Sequence, residues 1–320
     1  MKYYSIIQLF LIALSVPALG DIKSSGISGV QPFYRIKGVS IHVLVAPGMQ
    51  NDPGFYSRHF RVKFKEVNKI YLNKTGKTVA GYTNGQPNIY FPEISIQLHY
   101  GNRYTYYDVK EDTDEITQLL DKVQGGNKDH INMVVVGKYK ESVSSKGSLS
   151  GHTLCLKCTR KDEGIDKELI ILNYESLFLR NEVKFGTGGT LIAHELGHYL
   201  DLNHPFGINF CSDADGIPDT PRAVGQFWYY NPDGSLRKNP CVNPPPKSPE
   251  CILELRRRLV QNVMDYGPCR FMFTNRQVAH MLDFLQGKRT GIYDTVALDP
   301  ASLDPTPESV TVNAAWYDCQ

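Results

Sequence analysis

Apolar and polar positions along the chain repeat with two periods, which predicts an α+β fold with helices packed on a sheet. Alternating or continuous apolar runs predict strands at 38–45 (GVSIHVLV), 94–100 (ISIQLHY), 131–139 (INMVVVGKY) and 168–174 (ELIILNY). Helices are predicted at 56–72, 112–124, 190–200, 251–261 and 275–286. Thr187 or Thr190 can cap the third of these helices, and Thr274 or Asn275 the last.

Polar segments separate these elements, and we interpret residues 34–290 as one domain. Residues 231–250 are rich in proline and asparagine and predict a long loop whose order depends on disulfides or bound ions. Residues 291–320 give no clear helix or strand pattern, and we interpret them as a C-terminal tail.

The first twenty residues have the pattern of a secretory signal peptide. Lys2 precedes an apolar run from Ile6 to Val16, a breaker at Pro17, and a cleavage position after Gly20. The alternative is an uncleaved membrane anchor, but the apolar run is shorter than the ~20 residues that span a bilayer. We therefore expect a short leader at 21–33 and a secreted, extracellular protein with no membrane segment in its mature form.

Composition excludes some classes of partner. The 320 residues carry 35 basic and 33 acidic side chains, a net charge of +2, and this small excess gives no field that would favour nucleic acid. Seven cysteines in an exported chain predict disulfides. For Cys155 and Cys158 we prefer a local disulfide or ordinary burial to a zinc knuckle.

The segment TLIAHELGHYLDLNHPF (190–206) holds three of the nine histidines. On a helix, His194 and His198 are four residues apart and project from one face, so both imidazoles can bind one metal ion. Glu195 lies beside that ion without having to bind it. This spacing predicts a zinc site with its own base, and chance or three simply packed histidines are poor explanations.

Catalytic zinc keeps one position open for water, so three protein ligands are needed, and His204 is the natural third. A residue six after His198 lies on another face of a continuing helix, so the chain must leave the helix near Asp201. The rival zinc architecture uses a later glutamate, and none lies between Glu195 and Glu250. In the predicted reaction, Glu195 takes the proton of a zinc-bound water and passes it to the leaving amine during peptide hydrolysis.

Two motifs together resemble the metzincin clan of zinc endopeptidases: HELGHYLDLNH (194–204) and NVMDYGPC (262–269). The order of motifs, with DADGIPDTP (213–221), further cysteines and FMFTNRQVAHM (271–281), is similar to the pappalysin (cytophagalysin) family. The resemblance implies a twisted mixed sheet with backing and active-site helices above the cleft. Below it, an irregular disulfide-stapled subdomain would carry the C-terminal helix.

The same resemblance implies roles for individual residues. The zinc ligands would be His194, His198 and His204, the base Glu195, the methionine turn Met264, and a further zinc or oxyanion partner Tyr266. It also implies two disulfides, Cys211 with Cys251 and Cys241 with Cys269, although other pairings stay open. Asp213, Asp215 and Asp219 are candidate calcium ligands, and an Asx-rich turn is an equal alternative.

Two positions depart from the family pattern. Asp201 stands where the family has a glycine, which usually takes a left-handed conformation that aspartate tolerates at a cost of ~1 kcal/mol. Pro205 follows the third histidine, where the family commonly has threonine.

We interpret the chain as a secreted zinc metalloendopeptidase, expected to be a monomer that acts on proteins or peptides. Substrate is expected to bind as an added strand along the strand at 168–174. The alternative is a secreted binding protein on an inactive metzincin scaffold. The intact Glu195 argues against that alternative, because loss of the base is the simplest route to such a protein.

Overall fold

The computed structural model describes residues 32–100, 129–137, 151–155, 168–179, 188–207, 215–220, 223–224, 259–266, 269–297 and 299–316. The predicted signal peptide, almost all of the leader, the helix at 112–124, the loop at 231–250 and most of the helix at 251–261 lie outside these ranges. The strands are β1 (Phe33–Ile36), β2 (Val39–Val45), β3 (Ile89–Tyr90), β4 (Glu93–Tyr100), β5 (Ile131–Val136), β6 (Gly151–Cys155), β7 (Glu168–Asn173), β8 (Phe206–Gly207), β9 (Ala223–Val224), β10 (Tyr293–Val296) and β11 (Ser309–Trp316). Within the described ranges the α-helices are α1 (Pro53–Tyr71), α2 (Gly188–Tyr199) and α3 (Asn275–Lys288).

Among the described residues the main sheet has six strands, in the order β11-β4-β2-β5-β7-β6. All neighbours pair in parallel except β6, which runs antiparallel to β7. The predicted mixed sheet is therefore confirmed. The predicted substrate edge is wrong, because β7 lies between β5 and β6 and β6 ends the sheet.

Helices α1 and α2 pack in the same hydrophobic core as one face of this sheet. On α1, Tyr56, Phe60 and Phe64 recur at four-residue spacing and are fully buried, so the helix presents one apolar stripe to the sheet. Asp52 caps α1 by accepting the amides of Gly54 and Phe55 at 2.8 and 3.0 Å. No helix among the described residues is long and apolar enough to cross a membrane.

Helix α2 is described from Gly188, so Thr190 lies inside it and does not cap it. The alternative cap, Thr187, lies outside the described residues. A Cβ at Gly188 would lie 2.8 Å from the Leu177 carbonyl oxygen, and one at Gly189 would lie 2.4 Å from the Glu66 carboxylate. The two glycines therefore let the first turn of α2 pack closely against its neighbours.

The C-terminal segment, for which the sequence pattern predicted no element, forms two strands. β11 pairs in parallel with β4 over its whole length and forms an edge of the main sheet. β10 joins β1 and β3 in a separate three-stranded sheet. In β11, Val310 and Val312 pack against the core, whereas Thr311, Asn313 and Ala314 are exposed, so the strand has little hydrophobic signal of its own.

Helix α3 begins where the sequence predicts. Thr274 is its N-cap and forms a capping box with Gln277, each side chain accepting a hydrogen bond from the other residue's amide.

Candidate metal centre

The three histidines predicted as ligands meet at one point. His194 and His198 lie one turn apart on α2, and His204 lies beyond its end. Their Nε2 atoms form a triangle with sides of 3.1, 3.1 and 2.9 Å. Tetrahedral zinc bound at its usual distance holds three imidazole nitrogens roughly 3.3 Å apart, so a small adjustment admits the ion. Among the described residues, this is the only group of three His, Cys, Asp or Glu side chains close enough to hold a metal.

Backbone carbonyls fix the orientation of two of these imidazoles. Nδ1 of His194 donates to the Val263 oxygen at 2.8 Å, and Nδ1 of His198 donates to the Leu202 oxygen at 2.7 Å. A carbonyl oxygen can only accept, so each Nδ1 carries the proton and each Nε2 presents a lone pair. Two such nitrogens 3.1 Å apart repel each other unless a cation binds both. The donor set therefore fits zinc.

Burial keeps the first ligand neutral. His194 is 2% exposed, and this burial is the main cause that lowers its pKa well below the usual 6.5. The neighbouring His198 and the Arg270 guanidinium lower this pKa further. Only the neutral imidazole binds a metal, so the protein holds His194 in its binding form before any ion arrives.

Helix α2 ends in a turn at Asp201, whose φ is 68°. The Asp201 amide donates to the His198 oxygen at 2.9 Å, and the Leu202 amide donates to the Gly197 oxygen at 3.0 Å. This pair of bonds is the Schellman motif, in which glycine usually takes the left-handed position. Asp201 therefore takes the conformation of the family's glycine, and the turn brings His204 back to the other two ligands.

Met264 lies against α2 at Gly197. It is fully buried, and a Cβ at Gly197 would lie 2.4 Å from its Sδ atom. Any side chain at position 197 would displace this methionine. Met264 thus packs against the helix that carries His194 and His198, and its role as the methionine turn stays a prediction.

A buried amide pair supports this turn, and the sequence analysis did not predict it. Asn262 donates to the Gln277 side-chain oxygen at 2.7 Å and accepts the Met264 amide at 2.8 Å. Both amide side chains are fully buried, and the Gln277 oxygen also accepts the Thr274 amide at 3.0 Å. The pair joins α3 to the segment whose Val263 carbonyl orients His194. Sequence spacing gave no signal for it, because the two residues belong to different elements.

Glu195 and Tyr266 lie at the same centre. Glu195 is 3% exposed and follows His194 on α2. The Tyr266 ring lies 4.7 Å from the His204 ring and 5.6 Å from the His194 ring, measured between centroids. Burial of the hydroxyl, and then the nearby Glu195 carboxylate, raises the pKa of Tyr266 to about 12. The phenol therefore stays protonated at neutral pH, although 39% of the residue is exposed.

The predicted calcium ligands have other partners. Asp213 lies outside the described residues. Asp215 accepts an amide at 3.0 Å and a hydroxyl at 2.6 Å from its own turn, residues 217–220. Asp219 accepts the Thr274 hydroxyl at 2.6 Å and an amide of the first turn of α3 at 2.9 Å. These carboxylates stabilise a turn and a helix start, and calcium binding stays a prediction.

Three of the four cysteines predicted to pair, Cys211, Cys241 and Cys251, lie outside the described residues. The fourth, Cys269, is disulfide-bonded. The pairing itself stays a prediction.

The fold and the site share features with one class of protein. A mixed sheet packed against helices, three converging histidines and a buried methionine against the helix of two of them are features that metzincin-type metallopeptidases share. Residues 157–286 match the family model of peptidase family M43, described as pregnancy-associated plasma protein-A. This match confirms the resemblance to the pappalysin family that the motifs indicated.

Solved structures agree on the fold. Mature mirolysin of Tannerella forsythia, in complex with a cleaved peptide, has a TM-score of 0.55 and 20% identity, covering 82% of this chain and 96% of that one. Mirolysin in complex with compound 9 has a TM-score of 0.54 and 19% identity, covering 81% and 94%. No curated protein matches the chain.

Proposed function

We propose that the protein is a secreted zinc endopeptidase that hydrolyses peptide bonds of extracellular proteins, with Glu195 as general base. The observation that carries this proposal is the Nε2 triangle of His194, His198 and His204 with the buried Glu195 beside it. When bound, zinc supplies Lewis-acid chemistry, polarising a carbonyl and making water more acidic.

The chain's own residues would divide the remaining work. The Glu195 carboxylate would accept a proton from the attacking water and deliver it to the leaving amine nitrogen. The Tyr266 hydroxyl would donate a hydrogen bond to the oxygen on which negative charge develops. The raised pKa of Tyr266, about 12, supports this role, because a phenol that stays protonated can donate.

Substrate would bind along β6. This antiparallel strand borders the sheet beyond β7, so an extended peptide could add to it as a further strand. Mirolysin, whose fold this chain shares, has been solved with a cleaved peptide. Here β6 replaces the strand at 168–174 as the proposed binding edge.

Substitution of Glu195 tests the proposal. Purified wild type and Glu195→Ala would be compared for zinc content and for cleavage of a panel of proteins such as casein and gelatin. Both should bind zinc, and the variant should cleave about 10²–10⁴-fold more slowly. Glu308→Ala is the control, because this carboxylate binds Arg35 at 2.7 Å on the surface and should leave cleavage unchanged.

Other outcomes would favour the alternatives. Zinc bound by both proteins without cleavage of any substrate by the wild type would favour an inactive binding protein. Wild type without zinc would contradict the metal centre itself. Non-reducing peptide mapping tests the two proposed disulfides, and a change of thermal stability on adding calcium tests the proposed calcium site.

A further inference from the structure

We infer that His280 on α3 is a positioning residue for the metal centre and acts through Asp201 on the ligands His198 and His204. This inference rests on the proposed zinc site. His280 lies in the segment FMFTNRQVAHM (271–281), 79 residues beyond Asp201, and the sequence pattern gave this histidine no role.

The contact between the two residues has two parts. Nε2 of His280 lies 3.0 Å from the Asp201 backbone oxygen and 2.9 Å from its carboxylate Oδ2. Both oxygens accept, so the imidazole shares one N–H between them. His280 therefore holds the backbone and the side chain of Asp201 at once, and links α3 to the turn that ends α2.

That turn controls two of the three ligands. The residue after Asp201 is Leu202, whose carbonyl oxygen accepts Nδ1 of His198 at 2.7 Å. The path of the chain after this turn also brings Nε2 of His204 to 2.9 Å from Nε2 of His198. A rotation at Asp201 would move the Leu202 carbonyl and His204 together. Whatever restrains Asp201 therefore restrains the geometry of the ligands.

The pair is poorly suited to stabilising the whole fold. The side chains of His280 and Asp201 are 45% and 54% exposed, and polar pairs this exposed contribute little to folding. Aspartate is also a less suitable residue than glycine for a φ of 68°. An aspartate at this position strains the backbone but forms the contact with α3. We therefore expect this contact to affect the geometry of the metal ligands rather than the stability of the whole fold.

A second helix end supplies an internal control. Helix α1 also ends in a left-handed residue, Asn73, with a φ of 51°. Its amide donates to the Ile70 oxygen at 3.1 Å, as the Asp201 amide does to His198. No predicted metal ligand follows Asn73. Asn73→Ala therefore measures the cost of alanine in this conformation, together with the loss of the hydrogen bond that the Asn84 amide donates to the Asn73 side chain at 3.3 Å, without touching the metal centre.

The test measures metal binding rather than cleavage. Zinc affinity would be determined at one neutral pH by competition with a chromophoric chelator, together with the visible spectrum of the cobalt-loaded protein. His280→Ala should weaken zinc binding about tenfold, the lower end for outer partners of metal ligands, and alter the cobalt spectrum. His280→Gln, whose amide N–H can replace the imidazole donor, should restore both. Lys288→Ala, an exposed change on the same helix, should leave both unchanged.

Asp201→Gly is a second variant that tests the same contact even if His280→Ala does not fold. Glycine relieves the backbone but removes the carboxylate, so zinc binding should weaken while the metal-free melting temperature stays the same or rises. Asn73→Ala should lower that melting temperature and leave zinc affinity unchanged. Wild-type affinity in both His280→Ala and Asp201→Gly would overturn the inference. A wild type that binds neither zinc nor cobalt would instead contradict the proposed function.

Discussion

Among the residues that the structure describes, two groups of close histidines have different consequences. On the sheet, His42 of β2 and His99 of β4 are 4% and 2% exposed, with Nδ1 of the first 3.0 Å from Nε2 of the second. One ring donates to the other, so the pair is an ordinary hydrogen bond. In the triad the Nδ1 protons of His194 and His198 go to carbonyls, and the Nε2 lone pairs face one another.

Burial is common to both groups and so does not distinguish them. It lowers the pKa of His42 to about 3 and of His99 to about 4, and it also lowers the pKa of His194. All three rings are therefore neutral at physiological pH. The comparison teaches that the backbone acceptor of the other ring nitrogen, rather than closeness or burial, turns neighbouring histidines into a metal site.

The largest expected difference comes from removing one ring of each group. His198→Ala should lower zinc affinity by more than about 100-fold, because it removes a ligand rather than an outer partner. His99→Ala should leave zinc affinity unchanged and lower the free energy of unfolding by about 1–3 kcal/mol, because it leaves a buried partner unsatisfied. Chelator competition and urea unfolding measure the two quantities. Equal zinc affinity in the two variants would break the comparison.

The second expected effect is a loss of unfolding free energy at acid pH, caused by the buried pair His42 and His99. The unfolded chain protonates both histidines near pH 6.5, whereas in the folded protein the pKa is about 3 for His42 and about 4 for His99. Folding thus binds fewer protons, so stability is complete above about pH 6.5 and falls as the pH drops towards 4.

Each of these two histidines should contribute on the order of 1 kcal/mol per pH unit within that window. Urea unfolding of the metal-free protein at a series of pH values measures the slope. A double variant, His42→Leu with His99→Leu, should flatten it. An unchanged slope would show that other groups cause the loss of stability at acid pH.

Gln277→Ala tests whether the carbonyl acceptor of His194 must be held in place for zinc to bind. It removes the partner of the buried Asn262, at a cost of about 1–3 kcal/mol in unfolding free energy. It should also weaken zinc binding about tenfold, because the supported segment orients His194 through the Val263 carbonyl.

The matched control for Gln277→Ala is Gln286→Ala, on the same helix. Gln286 is exposed and donates to the Tyr34 hydroxyl, away from the ligands. This variant should keep wild-type zinc affinity. If both variants bound zinc equally well, the amide pair would have no role in positioning His194.

The smallest effects separate two helical glycines. Gly197→Ala would place its Cβ 2.4 Å from the Met264 Sδ atom, and should lower the unfolding free energy by about 1–3 kcal/mol and weaken zinc binding. A Cβ added at Gly287, on α3, would lie within 4 Å of no neighbouring atom. Gly287→Ala should therefore raise the unfolding free energy by up to about 1 kcal/mol. Thermal unfolding with and without zinc measures both. A tolerant Gly197→Ala would show that Met264 can move aside.

The strands and helices with strong periodicity could be predicted from the sequence, including α1, α3 and the four apolar strands. β11 could not, because its pairing depends on the backbone of β4 rather than on a pattern of its own. The edge of the sheet was misplaced for a related reason. Position within a sheet is a relation between strands, and β7 has the same apolar pattern whether or not β6 covers it.

For the site, the sequence by itself determined the chemistry: three imidazoles and a carboxylate at spacings that only a helix followed by a turn can bring together. The tertiary structure decided how that chemistry is held. It supplied the Val263 carbonyl, the amide pair beneath Met264 and the contact from His280, all from parts of the chain that lie far from α2 in sequence. Helical spacing is local and can be read in a short segment, whereas these partners exist only once distant segments have packed.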